Sequence, residues 1–235
     1  MLPAYLGEGT MSARLSGLYV VTDATLQPPD ELIRRVELAI DGGAALVQYR
    51  DKSTDAARRL RQAHALAALC RTRDVALIIN DDVQLALDSG ADGVHLGRED
   101  AAPAEARQRL GPGRLIGVSC YAQWPRAREA IAQGADYIAF GRYFASRTKP
   151  LAEQANLDLI RRAKRQLPLP VAAIGGITPD NGAALIEAGA DMLAVVQGVF
   201  AAEDCRQAAR AYAALFAAPV DRHRPPGSGE LPNHP

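Results

Sequence analysis

The stretch Gly90-Ala91-Asp92-Gly93-Val94-His95 returns three more times in the chain. Its counterparts are Gly42-Gly43-Ala44-Ala45-Leu46-Val47, Gly134-Ala135-Asp136-Tyr137-Ile138-Ala139 and Gly189-Ala190-Asp191-Met192-Leu193-Ala194. Each copy joins a helical pattern to a short apolar run. Glycine ends a helix readily in the left-handed conformation, and the run after it reads as a buried strand. The copies start at residues 42, 90, 134 and 189, so the intervals are 48, 44 and 55 residues. Such intervals are too long for one strand–helix unit and right for two.

The intervening strands are found at 18–22, 75–80, 115–119 and 171–175, all apolar runs that end in polar residues or glycine. Their apolarity is continuous rather than alternating, as expected of a parallel sheet covered by helices on its outer face. Helical patterns fill the gaps. Residues 54–71 set Ala57, Leu60, His64, Ala67 and Ala68 on one stripe, and Thr178-Pro179 reads as an N-cap followed by proline at the first helical position. Eight strands alternating with helices between residues 17 and 216 predict an α/β fold, a single-domain (β/α)8 TIM barrel with right-handed crossovers. An open doubly wound sheet is the structural alternative, but the first strand lacks the glycine-rich turn that supports dinucleotide binding. Outside the barrel, residues 1–16 read as a poorly structured extension, with Met11 as a second candidate start. Residues 217–235, holding five of the 15 prolines, read as a flexible tail.

Composition narrows the function. Of 235 residues, 48% are hydrophobic and 23% charged, which excludes collagen, coiled coil and wholesale disorder. Basic and acidic residues balance at 27 each, so no general field for a polyanion exists and nucleic acid is not an expected partner. The three cysteines, Cys70, Cys120 and Cys205, are odd in number and widely spaced, which favours a reducing cytoplasm over a disulfide framework or zinc knuckle. No apolar run approaches the roughly 18 residues of a membrane span. The 27 basic residues comprise only three lysines, Lys52, Lys149 and Lys164, the rest being arginine, so a lysine position here suggests a need for a compact ammonium.

In a barrel of this type the chemistry sits just past the C-termini of the strands. The run Gln48-Tyr49-Arg50-Asp51-Lys52 alternates in direction, so Gln48, Arg50 and Lys52 can face the mouth while Tyr49 and Asp51 point away. Two cations and an amide suit a phosphate chain, and solvated charges at a strand end are the plain alternative. Asn80-Asp81-Asp82 follows the third strand and Arg98-Glu99-Asp100 the fourth. A carboxylate from each can converge on a magnesium ion, or these residues can simply cap the next helices. His95 reads as a packed strand residue, since no second histidine is suitably placed for a metal. Gly175-Gly176 and Gln197-Gly198 follow the seventh and eighth strands, where such barrels bind phosphate through backbone N–H groups. Ser146-Arg147-Thr148-Lys149-Pro150 lies in a long loop after the sixth strand and reads either as a lid or as an ordinary exposed loop.

Taken together, QYRDK at 48–52, INDD at 79–82, DGVHLGRED at 92–100, GVSC at 117–120, Phe140-Gly141 with Thr148-Lys149, and AIGGI at 173–177 resemble the thiamine phosphate synthase family in order and spacing, over residues 17–216. The resemblance implies a transferase that joins 4-amino-2-methyl-5-hydroxymethylpyrimidine diphosphate to 4-methyl-5-hydroxyethylthiazole phosphate, releasing pyrophosphate. It implies that Gln48, Tyr49, Arg50, Asp51, Lys52, Asn80, Ser119 and Lys149 bind the pyrimidine diphosphate. Of these, Arg50, Lys52, Ser119 and Lys149 would be catalytic. Asp81 and Asp100 would hold one Mg2+, and Ser146, Arg147, Thr148, Gly176, Val196 and Gln197 would line the thiazole phosphate pocket. The segment 142–148 and Gln197 depart from the family's commoner proline-threonine pattern and serine, both on the thiazole side.

On this reading the partners are two small phosphate substrates, with no nucleic acid and no membrane, and the oligomeric state is left open. Cys120 is a neighbour of Ser119 and not a nucleophile. The competing readings are a thiazole tautomerase-like isomerase, which needs neither the acid pair nor the diphosphate cations, and a non-catalytic barrel that binds phosphate ligands. A sugar-phosphate isomerase would share Gly175-Gly176 without a use for the paired aspartates.

Overall fold

Every copy of the repeated stretch turns a helix into a strand in the computed structural model, which describes residues 15–144 and 154–217. Gly43, Gly90, Gly134 and Gly189 all have positive φ, at 104°, 69°, 88° and 109°. A side chain at such φ is strained, which is why glycine recurs there. The elements are β1 (Gly17–Val21), α1 (Leu32–Asp41), β2 (Ala44–Tyr49), α2 (Ala56–Thr72), β3 (Ala76–Asn80), α3 (Val83–Ser89), β4 (Gly93–Leu96), α4 (Pro103–Leu110), β5 (Leu115–Tyr121), α5 (Trp124–Ala132), β6 (Tyr137–Gly141), α6 (Leu157–Gln166), β7 (Val171–Ile174), α7 (Pro179–Glu187), β8 (Met192–Val195), α8 (Gln197–Phe200) and α9 (Cys205–Ala217). The eight strands pair in sequence order, all parallel, and β1 pairs β8 to close a (β/α)8 barrel of one domain.

The core has two layers, set by the alternation of side chains along each strand. Leu18, Val20, Val47, Leu77 and Ile79 point outward against the helices, where Val36 and Leu66 meet them. Tyr19, Val21, Leu46, Ile78, Tyr137 and Met192 point inward and fill the barrel, with Leu15 packed among them. Both faces of the strands are therefore dry, which explains the continuous apolar runs.

The aspartate of the repeat has a job of its own. Asp92, Asp136 and Asp191 each stand at the start of a strand and accept the backbone N–H of the neighbouring strand, from Leu77, Ile116 and Val171 at 2.8, 2.6 and 2.8 Å. Arg107 holds Asp136, and Lys164 holds Asp191 with contacts of 2.9 and 2.8 Å. These clamps lie at the strand N-termini, opposite the mouth.

One expectation needs correction. The helix at 54–71 forms, but Ala57, His64 and Ala68 are exposed and Leu60 is half-buried. The face that packs inward is Ala63, Leu66, Ala67 and Cys70. In a helix built of alanine and arginine, small alanines make several stripes equally apolar, and the bulkier Leu66 and Cys70 decide which one is buried. The N-terminus of α7 is as expected: Thr178 caps it, Pro179 occupies its first position, and Asn181 Oδ1 accepts the Thr178 N–H at 2.8 Å. Among the described residues, no helix is long and apolar enough to cross a membrane. The remaining residues of 1–16 and 217–235 lie outside the described ones.

Candidate active site

A cavity of about 480 Å3 opens at the C-terminal ends of the strands, and its wall includes Gln48, Arg50, Asn80, Ser119, Gly176 and Gln197. Val196 and Gly198 line it too, as do Tyr19, His95 and Tyr121.

From β2, Gln48 turns into the barrel and donates Nε2–H to the Tyr19 hydroxyl at 2.7 Å. Arg50 is set by its backbone N–H, which donates to Thr22 Oγ1 at 2.8 Å, and its guanidinium lies 3.5 Å from Asp23. Lys52 reaches the rim and pairs with Asp81. Tyr49 and Asp51 go the other way. The Tyr49 hydroxyl donates to Gln62 Oε1 at 2.8 Å, on the outer side of the barrel, and Asp51 pairs with Arg58 at 3.0 Å. The alternation along this strand end thus brings Gln48, Arg50 and Lys52 to the mouth and keeps Tyr49 and Asp51 away from it.

The two aspartates after β3 divide their roles. Asp82 caps α3, accepting the Leu85 N–H at 2.9 Å. Asp81 has φ 64°, unusual for a residue other than glycine, and its N–H donates to the His95 carbonyl at 2.8 Å. That backbone turns its carboxylate to the rim, between Lys52 and Asp100. Asp100 does not cap α4, whose N-cap is Ala102; its Oδ2 accepts the Gly97 N–H at 2.6 Å.

Burial works to raise the Asp81 carboxyl, but the hydrogen bond with Asp100 and the Lys52 ammonium outweigh it and hold Asp81 below the ordinary carboxylate range. Burial and the neighbouring Asp81 push Asp100 up. Two neighbouring carboxyls whose affinities for a proton are driven apart in this way are an arrangement that a cation between them would relieve. Among the described residues no cluster of three or more His, Cys, Asp or Glu gathers. A pair of hard oxygens nevertheless fits magnesium, which takes one or two protein carboxylates and fills the rest from water and phosphate.

Under the cavity, the His95 ring lies 3.1 Å from the Tyr137 hydroxyl through Nδ1 and 2.8 Å from Ser119 Oγ through Nε2. Burial pushes His95 down to about 4, so its ring is neutral. Opposite, Gly175 and Gly176 have φ 103° and 66°, and the α8 segment begins at Gln197. Tyr212 of α9 ties this side together by donating to the Ile177 carbonyl at 3.0 Å. Cys120 is fully buried and its thiol is pushed up to about 12 by burial, which leaves no thiolate beside Ser119. Ser146, Arg147, Thr148 and Lys149 lie outside the described residues.

Sequence reading missed two supports. Arg126 donates to the Ser119 and Gly97 carbonyls, both at 2.7 Å, and so binds β5 to the loop that aims Asp100. Tyr137 stands in the repeated stretch but reads there only as an apolar strand residue. Its signal was Gly117: a Cβ at that position would lie 2.0 Å from the Tyr137 ring.

A closed barrel that gathers an acid pair, cations and two loops of exposed backbone at its C-terminal mouth has the layout of an enzyme acting on small phosphate-bearing molecules. Comparison with known proteins narrows the class. The family model described as thiamine monophosphate synthase matches residues 18–199. A thiamine-phosphate synthase of Azoarcus sp. (strain BH72) is 55% identical over 207 residues, covering 88% of this chain and all of that one. A second, from Acidithiobacillus ferrooxidans, is 52% identical over 205 residues, covering 86% and 94%. Among solved structures, thiamine phosphate pyrophosphorylase from Pyrococcus furiosus superposes with a TM-score of 0.79 at 33% identity, over 87% of this chain and 96% of that one. The chain belongs to the thiamine monophosphate synthase family, and as such is an enzyme of the transferase class in thiamine phosphate synthesis. Likeness to a 3-hexulose-6-phosphate synthase, at 18% identity and a TM-score of 0.64, extends to the fold alone.

Proposed function

We propose that the enzyme couples 4-amino-2-methyl-5-hydroxymethylpyrimidine diphosphate to 4-methyl-5-hydroxyethylthiazole phosphate, giving thiamine phosphate and pyrophosphate. The observation that carries this reading is the meeting of Asp81, Asp100 and Lys52 at the strand ends, next in sequence to Asn80 of a cavity wall that also holds Arg50, Gly175-Gly176 and Gln197-Gly198. The acid pair with Lys52 and Arg50 suits a diphosphate and the glycine-bearing loops a single phosphate, so the mouth has room and chemistry for both substrates.

On this reading Gln48, Asn80 and Ser119 hold the pyrimidine diphosphate, and Arg50 and Lys52 bind its phosphates. Gly176, Val196 and Gln197 line the thiazole phosphate side. Ser146, Arg147 and Thr148 are assigned to that side, and Lys149 to the diphosphate, on resemblance alone. Asp81 and Asp100 would hold a magnesium ion, which supplies charge stabilisation for a departing pyrophosphate when bound. The C–O bond between the pyrimidine methylene and the diphosphate breaks, and its electrons leave with pyrophosphate. The thiazole nitrogen lone pair then forms the new C–N bond at that methylene. Arg50 and Lys52 stabilise the charge that develops on the leaving group. The chain need supply no nucleophile, consistent with a buried, protonated Cys120. Three buried free cysteines fit a cytoplasmic location.

The test is a coupling assay with both substrates, with and without magnesium, following thiamine phosphate as fluorescent thiochrome. Magnesium-dependent product is the expected result. Ligand binding without product would favour a silent binder, and isomerisation of the thiazole alone would favour the tautomerase.

A further inference from the structure

Five side chains from five strands are hydrogen-bonded end to end across the floor of the cavity. Gln48 Nε2 meets the Tyr19 hydroxyl at 2.7 Å, and that hydroxyl lies 2.8 Å from the Tyr137 hydroxyl. Tyr137 lies 3.1 Å from His95 Nδ1, and His95 Nε2 lies 2.8 Å from Ser119 Oγ. Tyr19, Tyr137, Gln48 and His95 are all at most 8% exposed, so bulk water is absent from this line of contacts.

Proton counting gives the line a direction. A hydroxyl has one proton to give. Tyr19 accepts from Gln48, so its own proton goes to Tyr137. Tyr137, having accepted, gives its proton to His95 Nδ1. A neutral imidazole that accepts at Nδ1 carries its proton on Nε2, which donates to Ser119 Oγ. Three groups remain unspent, all on residues that line the cavity: the Gln48 Oε1 acceptor, the second Gln48 Nε2–H and the Ser119 O–H donor.

We propose that Tyr19, Tyr137 and His95 are positioning residues that form a one-way relay, making Gln48 an acceptor and Ser119 a donor towards the ligand. The relay selects a ligand that offers an N–H to Gln48 and a lone pair or anionic oxygen to Ser119. An aminopyrimidine diphosphate has both, so the proposal deepens the proposed function and rests on it for the ligand's identity. The opposite direction would spend Gln48 Oε1 on the Tyr19 hydroxyl and leave the amide chiefly as a donor, suited to a ring carbonyl rather than an amine. Buried hydroxyls fixed in one direction also cost no reorganisation when the ligand arrives.

The direction is read in the full-length wild-type protein, without ligand, from the ring nitrogens of 15N-labelled histidine. Only four histidines are present, and loss of a signal in His95→Gln assigns the one of interest. The expected spectrum has a protonated Nε2 and a bare Nδ1. A proton on Nδ1, or an averaged mixture, overturns the relay.

Kinetics of Tyr137→Phe supply the second arm. With the centre of the line removed, kcat/KM for the pyrimidine diphosphate should fall about tenfold or more, while KM for the thiazole phosphate stays within about twofold. Equal loss towards both substrates, or no loss, overturns the positioning role. Absence of coupling by the wild type would instead remove the proposed function, and the tautomer would still decide the relay.

Discussion

Lys52 and Asp81 form an ion pair across the mouth of the barrel, one from the segment after β2 and the other from the turn after β3. Asp100 hydrogen-bonds to the same carboxylate from the β4 side. The Lys52 side chain is 60% exposed, so the pair adds little to stability, and its interest is chemical. A cation suited to a phosphate rests on a carboxylate suited to a metal, and occupation of the site would separate them.

Asp81→Asn should therefore keep the fold and lose turnover. Asparagine tolerates the left-handed backbone that Asp81 adopts, whereas alanine would add strain. Coupling activity should drop on the order of 10²-fold or more, with an unfolding midpoint close to wild type. Near-normal turnover at saturating magnesium would show that Asp81 has no part in the reaction.

Asp191→Ala should do the reverse. Asp191 accepts the Val171 N–H and pairs with Lys164 at the end of the barrel away from the mouth. Its removal leaves a strand N–H without its partner, at a cost of about 1–3 kcal/mol. Denaturant unfolding would measure that loss, and kcat should be unchanged.

His95 gives stability a pH dependence. Burial takes it from its ordinary value near 6.5 down to about 4, so the unfolded chain binds the proton more readily than the folded one. The stability so contributed is complete above pH 6.5 and is lost as pH falls towards 4, to a total of about 3 kcal/mol. Unfolding of wild type and His95→Gln across that range would isolate it: the two curves should converge on acidification.

The thiols should be silent in the folded enzyme. Cys70, Cys120 and Cys205 are at most 1% exposed, and burial pushes Cys70 and Cys120 up to about 12. A disulfide reagent at mild alkaline pH should titrate three thiols only after denaturation. Rapid reaction of the native protein would contradict the packing around β5 and α2.

The barrel was legible because its repeat couples a helix-ending glycine to a strand, and both halves of that signal are local. The alternation at Gln48, Arg50 and Lys52 was legible for the same reason, since direction along a strand follows from parity. The buried face of α2 was not, because alanine carries little information about which side is inside. The capping role of Asp82 and the rim-facing carboxylate of Asp81 were left open together: adjacent aspartates look alike until the left-handed turn at Asp81 separates them. The line from Gln48 to Ser119 joins residues up to 118 positions apart, and no local pattern records such contacts.

The pairing of β1 with β8 bears on how the molecule is made. Gly17, Leu18, Tyr19 and Val20 take Met192, Leu193, Ala194 and Val195 as partners. The first strand of the barrel to leave the ribosome therefore waits for the eighth before its second edge is filled, and until then both edges of a growing sheet stand open to other chains. Completion of the ring waits for the synthesis of β8, and a nascent chain stalled before Met192 would be a natural client for chaperones.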